Sequence, residues 1–390
     1  MKKQVITIVG GGSSAHALIP FLSDKDREIR LLTSKPKKWN RNINLEWRDS
    51  KNKVLKEFNG VLSSVSDKEE EVIVNSDVII FCMPVYKYRE ALNNIGKYIS
   101  DGTTIGTVYG QGGFNFMVNE IKSKYNLKSI VTFAIGLIPW ICRIKEYGKV
   151  GITYGAKSIN IVTFDNIDKY YDLKKLFNDM CFKWFHKGEF KLSDNFISLT
   201  LSVDNQIIHT SRLYGLFKRY GGDWDSLENV PYFYRDYDDL SANLLKDLDD
   251  DYSLIRERIK EIYPHYNFEY MLKYLDLERL SYNSANKNIK ESFIQSETLG
   301  AIKTPVVKYK DKWVINKEHR FFYDDIYYGL CIAKWIAEQM NLEVRTIDTI
   351  LKWAEVILND KILSNNKLTH NEKSGAFSIY NYNSLDEIIK

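Results

Sequence analysis

The chain has 390 residues, enough for two domains of ordinary size, and its 44% hydrophobic and 27% charged residues exclude a disordered or fibrous protein. Fifty-five basic side chains against fifty-one acidic ones leave a formal charge of +4, too little to point to a nucleic acid or an anionic membrane as partner. Four widely spaced cysteines, Cys82, Cys142, Cys181 and Cys331, spell neither a zinc site nor a disulfide framework. No metal is expected, and a reducing cytoplasm suits them.

Met1-Lys2-Lys3 and the apolar run Val5 to Val9 imitate the start of a secretory signal, but the run ends at Gly10-Gly11-Gly12. No apolar stretch reaches the roughly 18 to 20 residues of a membrane span, so neither export nor membrane insertion is expected.

Val5 to Val9, Ile29 to Leu32, Val78 to Cys82, Thr104 to Val108 and Ile130 to Ala134 read as strands buried on both faces, with helical patterns between several of them. Alternation of this kind predicts an α/β domain with a parallel, doubly wound sheet. Leu45 to Phe58 interrupts it as a hairpin around Asp49-Ser50-Lys51-Asn52. Beyond Pro139 come further strands at Val150 to Tyr154 and Ile159 to Phe164, then a helical stretch from Asp168 to Phe182.

From about Asp194 the strand signal fades, and helices are predicted at Asp194 to Phe217, Asp239 to Tyr263, Phe268 to Tyr282, Asp325 to Met340 and Ile347 to Leu358. The expected organisation is an N-terminal dinucleotide-binding domain over 1–195 and an all-α domain over 196–390, with a cleft between them. Oligomeric state is not legible, and a homodimer is compatible with it.

Gly10, Gly12 and Ala15 form a GxGxxA fingerprint between the first strand and the first helix. Gly10 permits the tight turn, Gly12 lets the backbone approach a pyrophosphate, Ala15 allows close helix packing, and the free amides around Ser13 and Ser14 attract phosphate. A carboxylate that would bind a ribose 2′-hydroxyl is missing after the second strand, where Thr33, Ser34, Lys35, Lys37 and Lys38 stand instead. That cluster favours NADP(H) over NAD(H), although it also reads as a solvated basic loop. Pro84, just past the strand ending at Cys82, would line the nicotinamide side of the crevice or simply start a helix.

Ser198, Ser202, Asn205, His209 and Arg212 recur at three- and four-residue steps, a polar stripe on an otherwise apolar helix. His209 on that stripe is the leading acid/base candidate, with an ordinary partly exposed histidine as the plainer alternative. Arg320 carries a planar fork able to grip a carboxylate, and Asp325 could orient an imidazole; the same residues also serve as a surface charge and a helix cap. Tyr263, Tyr266, Phe268, Tyr270 and Tyr274 read chiefly as core, with Tyr270 or Tyr274 as a wall for an amine donor otherwise. Acidic runs at Asp238-Asp239 and Asp249-Asp250-Asp251 suit a cationic donor or a solvated helix start equally.

Several segments resemble the opine dehydrogenases of the octopine/nopaline dehydrogenase family, in particular its octopine branch. They are Gly10 to His16, the run Ile138-Pro139-Trp140-Ile141-Cys142-Arg143-Ile144-Lys145-Glu146-Tyr147-Gly148, Gly222-Asp223-Trp224-Asp225, Arg320 with Asp325 and Gly329, and Asn383-Ser384-Leu385-Asp386. The resemblance implies a Rossmann domain followed by a helical one, which join a 2-oxo acid to the amine of an amino acid and reduce the imine with a nicotinamide cofactor. It casts His209 as the catalytic histidine, Asp325 as its partner and Arg320 as the grip on the oxo-acid carboxylate. Asn205 matches an asparagine that only some members have. Phe321 and Asp324 depart from the Tyr and Glu common at those positions. Cys142 is expected to pack beneath the cofactor and not to act as a nucleophile. A ketopantoate reductase or glycerol-3-phosphate dehydrogenase-like enzyme and a non-catalytic NAD(P) sensor are the alternatives. The first usually employs a lysine that Asp194 to Leu216 lacks.

Overall fold

The computed structural model describes residues 2–294 and 297–389. The chain divides into two compact units, one ending at Leu199 and the other beginning at Thr200.

The first unit is built on an eight-stranded sheet. Its strands run in the spatial order Glu189–Ser193, Ile159–Phe164, Val131–Ile135, Thr104–Thr107, Val78–Phe81, Gln4–Val9, Arg27–Leu32 and Ser64–Ser66. Every neighbouring pair is parallel except Ile159–Phe164 against Val131–Ile135. The order reverses on either side of Gln4–Val9, which places a ligand crevice beyond the carboxyl ends of the central strands. A doubly wound sheet is thus found where alternating β-branched runs predict it.

The hairpin is Asn42–Arg48 paired with Val54–Val61, and it belongs to a second, four-stranded sheet completed by Trp140–Glu146 and Val150–Ala156. This sheet packs on the helix Ser13–Leu22, whose other side faces the main sheet. Every residue of that helix from Ser14 to Leu22 is therefore buried, and beyond His16 the sequence is wholly apolar. The expected helical stretch 168–182 is broken into Asp168–Asp172, Lys174–Met180 and Phe182–Phe185.

The second unit is mainly helical, with small sheets at Asp223–Trp224, Val306–Tyr309 and Lys312–Ile315 and at Leu363–Ser364 and Lys367–Leu368. Its centre is the helix Asn205–Tyr220, packed by Asp239–Ile262, Arg345–Leu358 and the stretch Tyr323–Leu330. The helix expected from 194 to 217 is two helices, Phe196–Leu201 and Asn205–Tyr220. Asp204 breaks it by accepting a bond from the Asn205 amide. Ser202 contributes by turning its hydroxyl outward to the Tyr270 carbonyl and the Leu272 amide. Short polar side chains compete with the helical ladder in this way. The same bonds tie down the backbone near residue 270, so the helix expected from 268 begins only at Tyr274.

Candidate active site

Two groups of candidate residues stand out, one in each unit. In the first unit Gly10 sits at φ +110°, and a Cβ there would stand 2.6 Å from the Cys82 carbonyl oxygen. Only glycine fits that turn. Gly12 differs, because a Cβ on it would meet the Cys82 oxygen at an unstrained 3.7 Å. The protein leaves room beside Gly12, and the helix that Gly12 introduces has no side-chain cap on its first turn. Uncapped amides behind a vacant approach are what a pyrophosphate requires.

His16 fixes this turn. Its Nδ1 is 2.8 Å from the Gly12 carbonyl and its Nε2 is 2.8 Å from the Gly148 amide. The amide must donate to Nε2, so Nδ1 carries the proton and donates to Gly12. Burial holds this imidazole below its usual range, with the Gly12 bond opposing. The glycine turn is thereby tied to the hairpin that carries Trp140 to Gly148.

A cavity of about 510 Å³ opens beside the turn, lined by Gly10, Gly11, Gly12, Thr33, Ser34, Cys82, Met83, Pro84 and Tyr147 among others. These residues fit a dinucleotide. Of the expected cofactor residues, Gly10, Gly12, Thr33, Ser34 and Pro84 line it, whereas Ser13, Ser14, Ala15, Lys35 and Cys142 do not. Lys35 lies over the Tyr147 ring at 5.8 Å. Cys142 is buried, its thiol pushed up to about 11 by burial, with Arg143 and the Ser14 hydroxyl opposing. Burial and a raised pKa suit a packing role better than a nucleophile's. Asp67 and Glu69 also line the cavity, together with a Lys87 already paired to Glu90 at 3.1 Å. Sequence reasoning misses Asp67 because it follows Ser64–Ser66, a strand too short to show a period.

In the second unit His209 and Asp325 meet. Nδ1 of His209 is 2.7 Å from Oδ2 of Asp325, and each residue is only 1% exposed. Asp325 lies on a π-helical stretch, Tyr323–Leu330, whose wide turns release backbone groups from the usual ladder. Gly375 donates its amide to the Tyr327 carbonyl at 2.8 Å and Gln206 its side-chain amide to Tyr328 at 3.1 Å. Gln206 belongs to the same helix as His209, so the two halves of the dyad are locked by a second bond close by.

On its other side the imidazole Nε2 is 3.1 Å from the Tyr234 hydroxyl, and the Phe321 ring stacks on it at 3.6 Å. Tyr234 is held by way of Arg212, one helical turn beyond His209. The Arg212 guanidinium donates to the carbonyls of Phe233, Tyr232 and Asp236 at 3.0, 3.1 and 2.8 Å. The polar stripe read from the sequence therefore faces a polar interior and not water. Ser198 bonds Asn195, Ser202 the 270–272 backbone, and Arg212 the 232–236 loop.

Burial holds the His209 imidazole well below its usual range. The Arg320 guanidinium adds to this and the Asp204 carboxylate opposes it. Burial likewise pushes the Asp325 carboxyl well above its usual range, with Arg320 opposing and Asp204 adding. Arg320 is thus in electrostatic reach of both, although its side chain is 46% exposed and pairs with Asp324 at 3.4 Å. Asn205 opens the His209 helix, bonded through its amide to Asp204. The half-buried Tyr270 is anchored through its carbonyl to Ser202.

Among the described residues no cluster of three or more His, Cys, Asp or Glu could hold a metal, and no helix is long and apolar enough to cross a membrane.

Comparison with known proteins agrees with this architecture. Residues 192–358 match the family described as NAD/NADP octopine/nopaline dehydrogenase, alpha-helical domain, and residues 5–105 match NADP oxidoreductase, coenzyme F420-dependent. The chain is 25% identical to tauropine dehydrogenase of Arabella iricolor, covering 99% of this chain and all of that protein. It is 24% identical to opine dehydrogenase of Haliotis discus hannai, covering all of this chain and 99% of the other. A solved structure of octopine dehydrogenase with NADH and L-arginine shares the fold at a TM-score of 0.82 and 19% identity, over 99% of this chain and 97% of that one. The chain is thus similar end to end to opine and tauropine dehydrogenases, and its residues 192–358 match the helical domain of the octopine/nopaline dehydrogenases.

Proposed function

We propose that the enzyme is an opine dehydrogenase: it condenses a 2-oxo acid such as pyruvate with the amine of an amino acid and reduces the product to an N-(carboxyalkyl) amino acid, and it runs the reverse oxidation. The observation that carries this reading is the buried His209–Asp325 pair with Arg320 in electrostatic reach. Nucleotide binding is assigned to residues 1–195 and substrate chemistry to residues 196–390.

The amino acid arrives as an ammonium ion and must lose a proton before it can attack a ketone. A neutral imidazole is the right starting state for that, and burial keeps His209 neutral. Asp325 accepts from Nδ1, fixes the tautomer with its lone pair on Nε2, and stabilises the imidazolium once a proton is taken up. The amine nitrogen then bonds to the carbonyl carbon, giving a carbinolamine. The imidazolium returns its proton to the hydroxyl, which leaves as water, and a protonated imine remains. The nicotinamide cofactor, when bound, supplies the hydride that reduces it. Arg320 holds the oxo-acid carboxylate through its planar fork, and Asn205 and Tyr270 border the substrate.

Cofactor preference turns on the cavity. Thr33 and Ser34 line it without the lysines that follow them, while Asp67 and Glu69 face it. Carboxylates repel a 2′-phosphate and accept hydrogen bonds from ribose hydroxyls, which favours NADH over the NADPH suggested by the basic run. The experiment is an omission assay with NADH and NADPH. Oxidation is expected only when pyruvate and an amino acid are both present, and oxidation with the ketone alone would assign a hydroxy-acid dehydrogenase instead.

A further inference from the structure

We propose that Tyr234 is the proton relay of this site, its hydroxyl passing the proton between Nε2 of His209 and the reacting substrate. The inference rests on the function proposed above and adds a third member to the dyad.

The geometry leaves the imidazole no other outlet. Its Nδ1 is committed to Asp325 at 2.7 Å, its face is covered by Phe321 at 3.6 Å, and Phe233 stands edge-on at 5.7 Å. Nε2, the nitrogen the chemistry needs, is 3.1 Å from the Tyr234 hydroxyl. With Asp325 ionised its oxygen can only accept, so Nδ1 carries the proton, Nε2 offers a lone pair, and Tyr234 donates to it. Tyr234 is 7% exposed where His209 is 1%, so of the three residues Asp325, His209 and Tyr234 the tyrosine lies nearest the surface. The placement is built in, because the buried Arg212 pins the carbonyls on both sides of Tyr234.

In the forward direction the substrate ammonium gives a proton to the Tyr234 oxygen as the phenolic proton moves to Nε2. The amine becomes free, the tyrosine is unchanged and His209 is an imidazolium. The same two bonds run backwards when the carbinolamine C–O bond breaks: Nε2–H returns its proton to the phenol oxygen, and the phenol proton leaves with the hydroxide as water. No tyrosinate accumulates and no oxidant or reductant is consumed. A phenol can accept one proton as it gives up another, so a paired transfer of this kind passes through no charged tyrosine.

The charged and titratable groups facing His209 are Asp325 on the π-helical stretch, Arg320 and His319 just before it, Asp204 at the start of its own helix, and Tyr234 on the loop. Tyr234→Phe removes one hydroxyl and leaves the others in place. With NADH, pyruvate and a pool of the twenty amino acids, kcat is expected to fall at least about tenfold while KM for NADH stays unchanged. An undiminished kcat would overturn the relay, as would a loss accompanied by equal loss of NADH binding.

A second readout needs no substrate. With ¹³C-labelled histidine, assigned through His209→Asn, the His209 ring is expected to titrate about one pH unit higher in Tyr234→Phe, because the bond stabilising its neutral form is gone. An unchanged titration would overturn the proposal even if the parental enzyme proved to reduce no imine. That last result would sink the functional reading separately.

Discussion

Asp325 follows His209 by 116 positions, yet its Oδ2 stands 2.7 Å from the imidazole Nδ1, with both side chains shut off from water. Breaking such a pair costs more than the bond itself, since whichever partner remains is left buried and unsatisfied.

Asp325→Asn keeps an acceptor for Nδ1 but removes the negative charge that stabilises the imidazolium. It should lower kcat at least about tenfold while leaving cofactor affinity intact. Steady-state kinetics beside a fluorescence titration of NADH checks both halves.

Arg320→Lys retains the charge and loses the two-pronged geometry. The apparent KM for the oxo acid should rise with a smaller change in kcat, and an unchanged KM would place the carboxylate elsewhere.

Gly10 and Gly12 should separate under the same substitution. Gly10→Ala forces a Cβ against the Cys82 carbonyl at a positive φ and should lower the melting temperature. Gly12→Ala has room in the protein alone, so its melting temperature should stay near the parental value while nucleotide affinity falls. Equal effects on stability would mean that the space beside Gly12 is not a phosphate approach.

Acid should destabilise the protein through its buried histidines. The His16 imidazole is held below its ordinary value near 6.5, so the folded state refuses a proton that the unfolded chain accepts once the pH drops below about 6.5. The His209 shift has the same sign. The Asp325 carboxyl, pushed upward, opposes both by taking a proton in the folded state above its ordinary range. His16→Gln keeps an acceptor for Gly148 and cannot titrate. Its melting temperature between pH 7.5 and 5.5 should fall less steeply than that of the parent, and parallel curves would remove His16 from the balance.

How far the sequence goes depends on the range of the interaction. The main sheet is legible because its strands are continuous β-branched runs such as Val5 to Val9 and Val78 to Cys82, and the Gly10–Gly12 turn because it is local in sequence. His209, Arg320 and Asp325 stand out as residue types, and the family resemblance is what relates them; periodicity cannot place residues 116 apart. Tyr234 is invisible for the same reason, since it reaches His209 through a loop held by Arg212, a residue that the sequence shows only as part of a polar stripe. The helix break at Ser202 to Asp204 was hidden by the apolar residues on both sides of it. The NADP(H) expectation rests on Thr33, Ser34 and the lysines after them, of which the two hydroxyl residues line the cavity; Asp67 and Glu69, which also line it, follow a three-residue strand on the sheet's edge and leave no signal in the sequence.

The most direct test follows the hydride. The enzyme would be incubated with NADH deuterated at the transferred position, pyruvate and an amino acid, and the products analysed by mass spectrometry. The account predicts a secondary amine joining the two carbon skeletons, with one deuterium on the former carbonyl carbon. Deuterium found instead in a 2-hydroxy acid, with the amino acid untouched, would contradict it.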